Sequence, residues 1–388
     1  RQNYPTQMGE LWPEVTCEDC TYRLGKCELC TEPDECEYRV AKQEAAGAQL
    51  AVLNTAYWLR EVAGIKSAFS RPSVPGAIDP KLRAGGFVVV DECDTLEKVL
   101  LGYVEFIIGE RRMRELGTIA PKKSARYATT IVDWLDGTVA ERAGGLAAEV
   151  AQKLRSRRWS VRERMKLRRE IMRLIELQDT SKAVAKDLCA DHENWIRDND
   201  KPFLMKPIHV SPFGERLVWQ HGGRFLCMSG TVVSAEELAE TTGLADGSWA
   251  EVKVPMTFPA EHRPIYYTGI ADMTYAKRVE EWPKLVPALE ALCARYPGER
   301  VLVHAVSYAL SRYLHEQLGG KTGRRVLTYE NAGTRGKALE EYRKYAGAVL
   351  IASSFDRGVD LKDEDCRVIV VVKMPYPSLG DEQVSRRV

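Results

Sequence analysis

Short apolar runs ending in acids, glycine or turn residues recur along this chain, and the stretches between them place apolar residues at helical spacing. GGFVVVDECD (85–94) follows a loop holding Pro72, Pro75, Gly76 and Pro80 and reads as a buried strand whose carboxyl end carries Asp91 and Glu92. RFLCMSG (224–230), RVLVHAV (300–306), AVLIAS (348–353) and CRVIVVVKMP (366–375) read as strands in the same way. Residues 280–296 and 307–318 read as helices, and 97–200 as helical throughout, with Val161, Met165, Met172 and Ile175 near helical spacing. Residues 37–60 begin as an Ala-rich helix and turn strand-like at Leu50–Leu53. Alternating helices and continuous apolar strands predict parallel α/β architecture. The layout is one α/β lobe, a long helical insertion, the remainder of that lobe, then a second α/β lobe, with no internal repeat.

Composition adds limits. A chain of 388 residues, 45% hydrophobic and 29% charged, has room for two or three domains. No apolar run is long enough to span a membrane, and RQNYPTQMGE at the start lacks the apolar core of a signal peptide. The net charge of +1 says nothing about nucleic acid, but charge is uneven. Residues 153–173 read as one basic helix rich in Arg and Lys, opposed only by Glu163 and Glu170, a face able to hold phosphates. The chain starts without Met and stops mid-pattern at Arg387-Val388, which reads as a fragment.

Ten cysteines are present, and half of them fall between residues 17 and 36. Their spacing is Cys17-x2-Cys20-x6-Cys27-x2-Cys30-x5-Cys36, which suits a metal site in a reducing, cytoplasmic compartment better than a disulfide scaffold. Residues 1–36 hold too little apolar periodicity to order themselves without metal. Two Cys-x2-Cys pairs fit zinc or an iron–sulfur cluster, and spacing alone leaves both open, with zinc the default for such a segment standing alone. Cys93, Cys189, Cys227, Cys293 and Cys366 are isolated and read as core residues. His209, His221, His262 and His304 lack ligand spacing and read as structural.

An Asp-Glu pair closing an apolar strand is a Walker-B arrangement, in which the first acid holds Mg²⁺ on nucleotide phosphates and the second orients the attacking water. Its surroundings sharpen this reading. DECD (91–94) is a variant of the DEAD/DEAH box; MSGTV (228–232), VLVHAVS (301–307), ASSFDRGVDLKD (352–363), KMPYP (373–377) and LGD (379–381) follow in the motif order of a superfamily 2 helicase. RQNYPT at the start, CEYRVAK (36–42) with VLNTAYWL (52–59), and FPAEHRPIYY (258–267) resemble the borders of the iron–sulfur region and the start of the second motor lobe in XPD/DinG helicases. The chain therefore resembles an iron–sulfur DNA helicase of the XPD/DinG type over nearly its whole length, the helical insertion matching by position only.

The resemblance implies two RecA-like parallel-sheet motor lobes with a Cys-rich iron–sulfur insertion and a helical Arch-like insertion. Residues 1–96 are then part of lobe 1, carrying the insertion at about 5–45; 97–205 are the Arch-like insertion, 206–250 the return of lobe 1, and 251–388 lobe 2. It implies a 4Fe–4S cluster on four of Cys17, Cys20, Cys27, Cys30 and Cys36, and ATP with Mg²⁺ in the motor. Asp91 is assigned to Mg²⁺ and Glu92 to water activation; Asp94, Ser229 and Thr231 to coupling; Gly358 and Asp360 to a tight turn beside nucleotide or DNA. The implied activity is ATP-driven 5′→3′ translocation on single-stranded DNA and unwinding of forked or tailed duplex, by a monomeric motor in repair or replication, without membrane association. Three departures stand out: Thr6 at the family's early Cys, Gly230 in the Ser-Ala-Thr motif, and Asp356-Arg357 for the usual Trp-Glu. No G-x-x-x-x-G-K-[ST] occurs in these residues, so the P-loop is expected before Arg1 and the Arg-rich last motif after Val388, leaving these residues alone with negligible hydrolysis. An alternative of another class is a metal-ordered nucleic-acid-binding module whose Asp-Glu pair is vestigial; a zinc-dependent adaptor is a third.

Overall fold

The structure, a computed structural model, describes residues 48–62, 87–122, 124–156, 158–198, 203–231, 234–255, 257, 259–262, 264–353, 361–376 and 380–388. Two units divide it: Arg1–Lys253 with Leu379–Val388, and Val254–Ser378.

In the first unit, α1 (Thr55–Val62) starts at Asn54, whose side chain accepts from the Ala56 amide at 2.9 Å. Strand β1 (Phe87–Asp91) leads through a short 3-10 turn into α2 (Leu96–Val104). Helix α2 buries Leu96, Leu100, Tyr103 and Val104, one stripe at helical spacing. Next come β2 (Phe106–Ile108), α3 (Glu110–Glu115), π-helical turns at Tyr127–Ile131 and Trp134–Ala140, α4 (Glu141–Ser156) and the thirty-residue α5 (Val161–Ala190). Strands β3 (Trp195–Asp198) and β4 (Phe203–Pro207), α6 (Ser211–Leu217), β5 (Arg224–Met228) and α7 (Ala235–Thr242) follow.

Two sheets result. β1 and β5 pair in parallel, Phe87 opposite Arg224 and Asp91 opposite Met228. β2, β4 and β3 form an antiparallel sheet with β4 central. The 97–200 stretch is therefore not helical throughout: β2 interrupts it after α2, and β3 follows α5. The Phe203 ring packs edge-on against Phe106 and Trp134, at centroid distances of 6.4 and 4.9 Å, so aromatic burial fixes these short strands where periodicity gave no warning. The 153–173 stretch is likewise not one helix. It breaks at Ser160, which caps α5 in a reciprocal box with Glu163. Cys189, expected in the core, is exposed near the end of α5. β1 is not buried on both faces either: Val90 is buried, whereas Phe87 and Val89 are 64% and 48% exposed.

Close packing of α6 on α7 depends on Gly214. A Cβ there would lie 1.7 Å from the Thr242 carbonyl oxygen, which also accepts from Trp219 Nε1 at 2.8 Å.

The second unit contains α8 (Arg278–Arg295), β6 (Val301–His304), α9 (Tyr308–Leu318), β7 (Val326–Thr328), α10 (Ala332–Lys344), β8 (Val349–Ala352) and β9 (Val368–Val371). The strands form one parallel sheet in the order β7-β8-β6-β9. Val301, Val303, Val349 and Ile351 meet α8 and α9 on one face, while Leu302, Leu350 and Ala352 meet Ala338 and Tyr342 of α10 on the other. This two-sided burial is what continuous apolar strands require. Two arginines staple the periphery. Arg324 donates to the carbonyls of Cys293, Glu299 and Gly347, and Arg300 to those of Tyr342, Arg343, Tyr345 and Glu364. The last helix, α11 (Glu382–Arg387), groups with the first unit, although residues 251–388 read as one lobe in the sequence.

Candidate functional site: the acid box at the ends of two parallel strands

Because β1 and β5 run in parallel and in register, the segments that leave them emerge at the same sheet edge. Glu92 follows β1 in the left-handed conformation (φ 50°, ψ 45°), rare for a residue with a Cβ. Its amide donates to Asp91 Oδ1 at 3.0 Å, and its carbonyl accepts from the Thr95 amide and hydroxyl at 2.9 and 2.7 Å. This turn carries Asp94 across to the end of β5. There Asp94 Oδ1 accepts from Ser229 Oγ at 2.8 Å, and Oδ2 from Thr231 Oγ1 at 2.6 Å. The two hydroxyls lie 3.1 Å apart, and the Thr231 amide donates to Ser229 Oγ at 3.1 Å. One half-buried carboxylate thus holds both hydroxyls of the SGT segment.

The carboxylates of Asp91 and Glu92 belong to exposed residues at this edge. A pair of exposed acids suits Mg²⁺, which keeps much of its water and usually takes only one or two carboxylates besides phosphate oxygens. Under the box lie two thiols. Burial, and next the charge of Asp94, pushes Cys93 up; burial, and next Cys93, pushes Cys227 up to about 11. Both stay protonated at neutral pH and serve as small apolar packing.

The structure thus brings together five of the sequence-selected residues: Asp91, Glu92, Asp94, Ser229 and Thr231. Gly358 and Asp360 lie outside the described residues, as do Cys17, Cys20, Cys27, Cys30 and Cys36. In the second unit, the VLVHAVS segment ends β6 and turns through Val306, a β-branched residue at φ 63°, into Ser307, whose hydroxyl accepts from the Leu310 amide and caps α9. No sequence signal marked Val306. Of the basic stretch, Arg155, Arg158, Lys166 and Arg173 are exposed, while Arg164, Arg168 and Arg169 are half-buried. Glu170 is taken up by Arg112 of α3, whose hydrogen bonds hold its carboxyl below the usual glutamate range.

Residues 289–388 match the helicase C-terminal domain family. An ATP-dependent DNA helicase, YoaA of Haemophilus influenzae, is 23% identical over 209 residues, which cover 50% of this chain and 30% of the relative. A solved XPD helicase structure superimposes with TM-score 0.42 at 14% identity, over 81% of this chain and 59% of that one. A solved apo XPD structure gives TM-score 0.41 at 15% identity, over 80% and 64%. The chain thus spans less than a third of the curated relative's length and less than two thirds of these structures.

Proposed function

We propose that this chain, an XPD/DinG-like member of the superfamily 2 helicases, is the part of an ATP-dependent DNA motor that carries the acid box and its coupling lock. In this reading the two parallel-sheet units are RecA-like motor lobes, and α3, α4 and α5 belong to an Arch-like insertion. The observation that carries the reading is the Asp94 carboxylate holding Ser229 and Thr231 across the ends of β1 and β5. Such a lock ties the segment leaving the acid pair to the segment leaving the neighbouring strand. A change at a nucleotide beside Asp91 and Glu92 is thereby transmitted to the polypeptide that follows Thr231.

Asp91 would hold Mg²⁺ and Glu92 would orient water, with the ion neutralising phosphate charge. Gly358 and Asp360 would complete the nucleotide or DNA contacts from the second lobe. The cysteine cluster would hold 4Fe–4S through four of its five thiols. Substrates would be single-stranded DNA and forked or tailed duplex, travelled 5′→3′, with exposed arginines of α4 and α5 facing phosphate. The test is Glu92→Gln in the intact protein. Hydrolysis should fall at least about a hundredfold while nucleotide binding persists, as expected for loss of the water-orienting group. Unchanged turnover would reject the assignment.

A further inference from the structure

The chain leaving β9 in the second unit re-enters the first as residues 380–388, and its attachment there is specific. Asp381 caps α11 by accepting from the Gln383 amide at 2.8 Å, and its two carboxylate oxygens receive Lys206 Nζ at 2.9 Å each. Gln383 is 6% exposed and donates through Nε2 to the carbonyls of Pro207 and Ile208, at 2.7 and 3.3 Å, where β4 ends. Arg387 donates to the Ile208 carbonyl and pairs with Glu97 at 2.6 Å. A six-residue helix is too short to hold itself in place. Three of its own side chains, Asp381, Gln383 and Arg387, hold it instead, one of them a buried amide with both donor contacts made to main chain.

Where Arg387 lands gives the strap its meaning. Glu97 sits in the first turn of α2, three residues after Asp94. The strap therefore grips the helix that grows directly out of the acid-box turn. We propose that residues 380–388 are a coupling strap whose Arg387–Glu97 pair links the exit of the second unit to the position of Asp94, making Arg387 and Glu97 positioning residues for DNA-stimulated hydrolysis. This rests on the motor reading above. Tension or release along the segment entering the strap is felt at the base of α2, and the Asp94 lock carries it to Ser229 and Thr231.

The experiment is a charge reversal and swap in the intact protein: Arg387→Glu, Glu97→Arg, and the two together. Each single variant should lower the ratio of DNA-stimulated to DNA-free ATP turnover about threefold or more, a typical size for loss of a coupling contact, with the KM for ATP held. The double variant restores the pair with its sign reversed and should recover the ratio. Hydrogen exchange at residues 382–388 is read in parallel on the unmodified protein, where docking predicts protection. Single variants with an unaltered ratio, or a double variant that recovers nothing, overturn the strap. Turnover with unprotected 382–388 overturns the strap while leaving the motor reading intact; protection without any turnover overturns the motor reading and the coupling role with it.

Discussion

Asp94 shows how one residue's chemistry organises a site. It is an anion between two hydroxyl donors, and charge-assisted hydrogen bonds are stronger than neutral ones. Asp94→Ala should cost about 1–3 kcal/mol of unfolding stability, since two hydroxyls lose a charged acceptor. Asp94→Asn, which keeps one acceptor oxygen, should cost less, and denaturant titration of the two variants reads the difference. An equal loss in both would mean that the one oxygen Asn keeps holds nothing and the lock needs the whole carboxylate; no loss in Asp94→Asn would mean that only side-chain volume matters. The acids of DECD and the hydroxyls of SGT were legible because they are spaced as motifs along the sequence. Val306 was not, because nothing in VLVHAVS foretells a left-handed β-branched residue. Gly adopts that conformation without the steric penalty, so Val306→Gly should be neutral or raise stability by up to about 1 kcal/mol despite the lost side chain. A clear fall in the thermal midpoint would show that packing of the half-buried valine outweighs its backbone strain.

Among elements, the parallel strands were the most legible and the short antiparallel ones the least. β8, and β6 up to His304, are apolar because helices cover both faces, so their runs stand out. β1 has the same appearance, yet Phe87 and Val89 are exposed, because an apolar run does not reveal how many of its faces are covered. β2 and β3 are three and four residues long, too short for any period to register; Phe106 of β2 packs on Phe203, and Trp195 of β3 on Phe213. The break before α5 could have been found, since Ser160 and Glu163 form the S-x-x-E signature, but it is hidden inside a run of arginines. Within this region Arg112 of α3 pairs with Glu170 of α5, both side chains half-buried. Glu170 is held below its ordinary range chiefly by that hydrogen bond, so the folded state binds its proton less tightly than the unfolded state does. The pair's stabilisation is complete above the ordinary glutamate range and fades as pH falls through it. Glu170→Gln should therefore cost about 1 kcal/mol at neutral pH, with the difference from the native chain shrinking in acid. A pH-independent difference would assign the loss to packing. Gly214 makes a separate demand: Gly214→Ala drives a methyl into the Thr242 carbonyl and should cost about 1–3 kcal/mol by overpacking, or prevent folding.

At the scale of the whole molecule, division of labour follows from where chemistry-bearing residues fall. The first unit holds the acid box and its lock, the second a parallel sheet whose inner strands β6 and β8 are covered on both faces, and five of the cysteines cluster in the sequence at 17–36. Those five thiols are too many for one tetrahedral or cubane site, so any single-metal arrangement has four ligands and one bystander. Serine at each position in turn, in protein purified without oxygen, identifies both. For a 4Fe–4S cluster the intact protein should carry iron and labile sulfide, four of the variants should lose most of both, and one should retain them. Cys36→Ser is expected among the four, because Cys36 is the position that the family resemblance matches to the last ligand. Zinc without sulfide would replace the cluster with a structural zinc site but leave the acid box untouched. Retention of iron in Cys36→Ser would move the last ligand to another thiol. Since residues 1–36 have little apolar surface to bury, removing the metal should expose that segment to protease well before the two units unfold, whichever metal is bound.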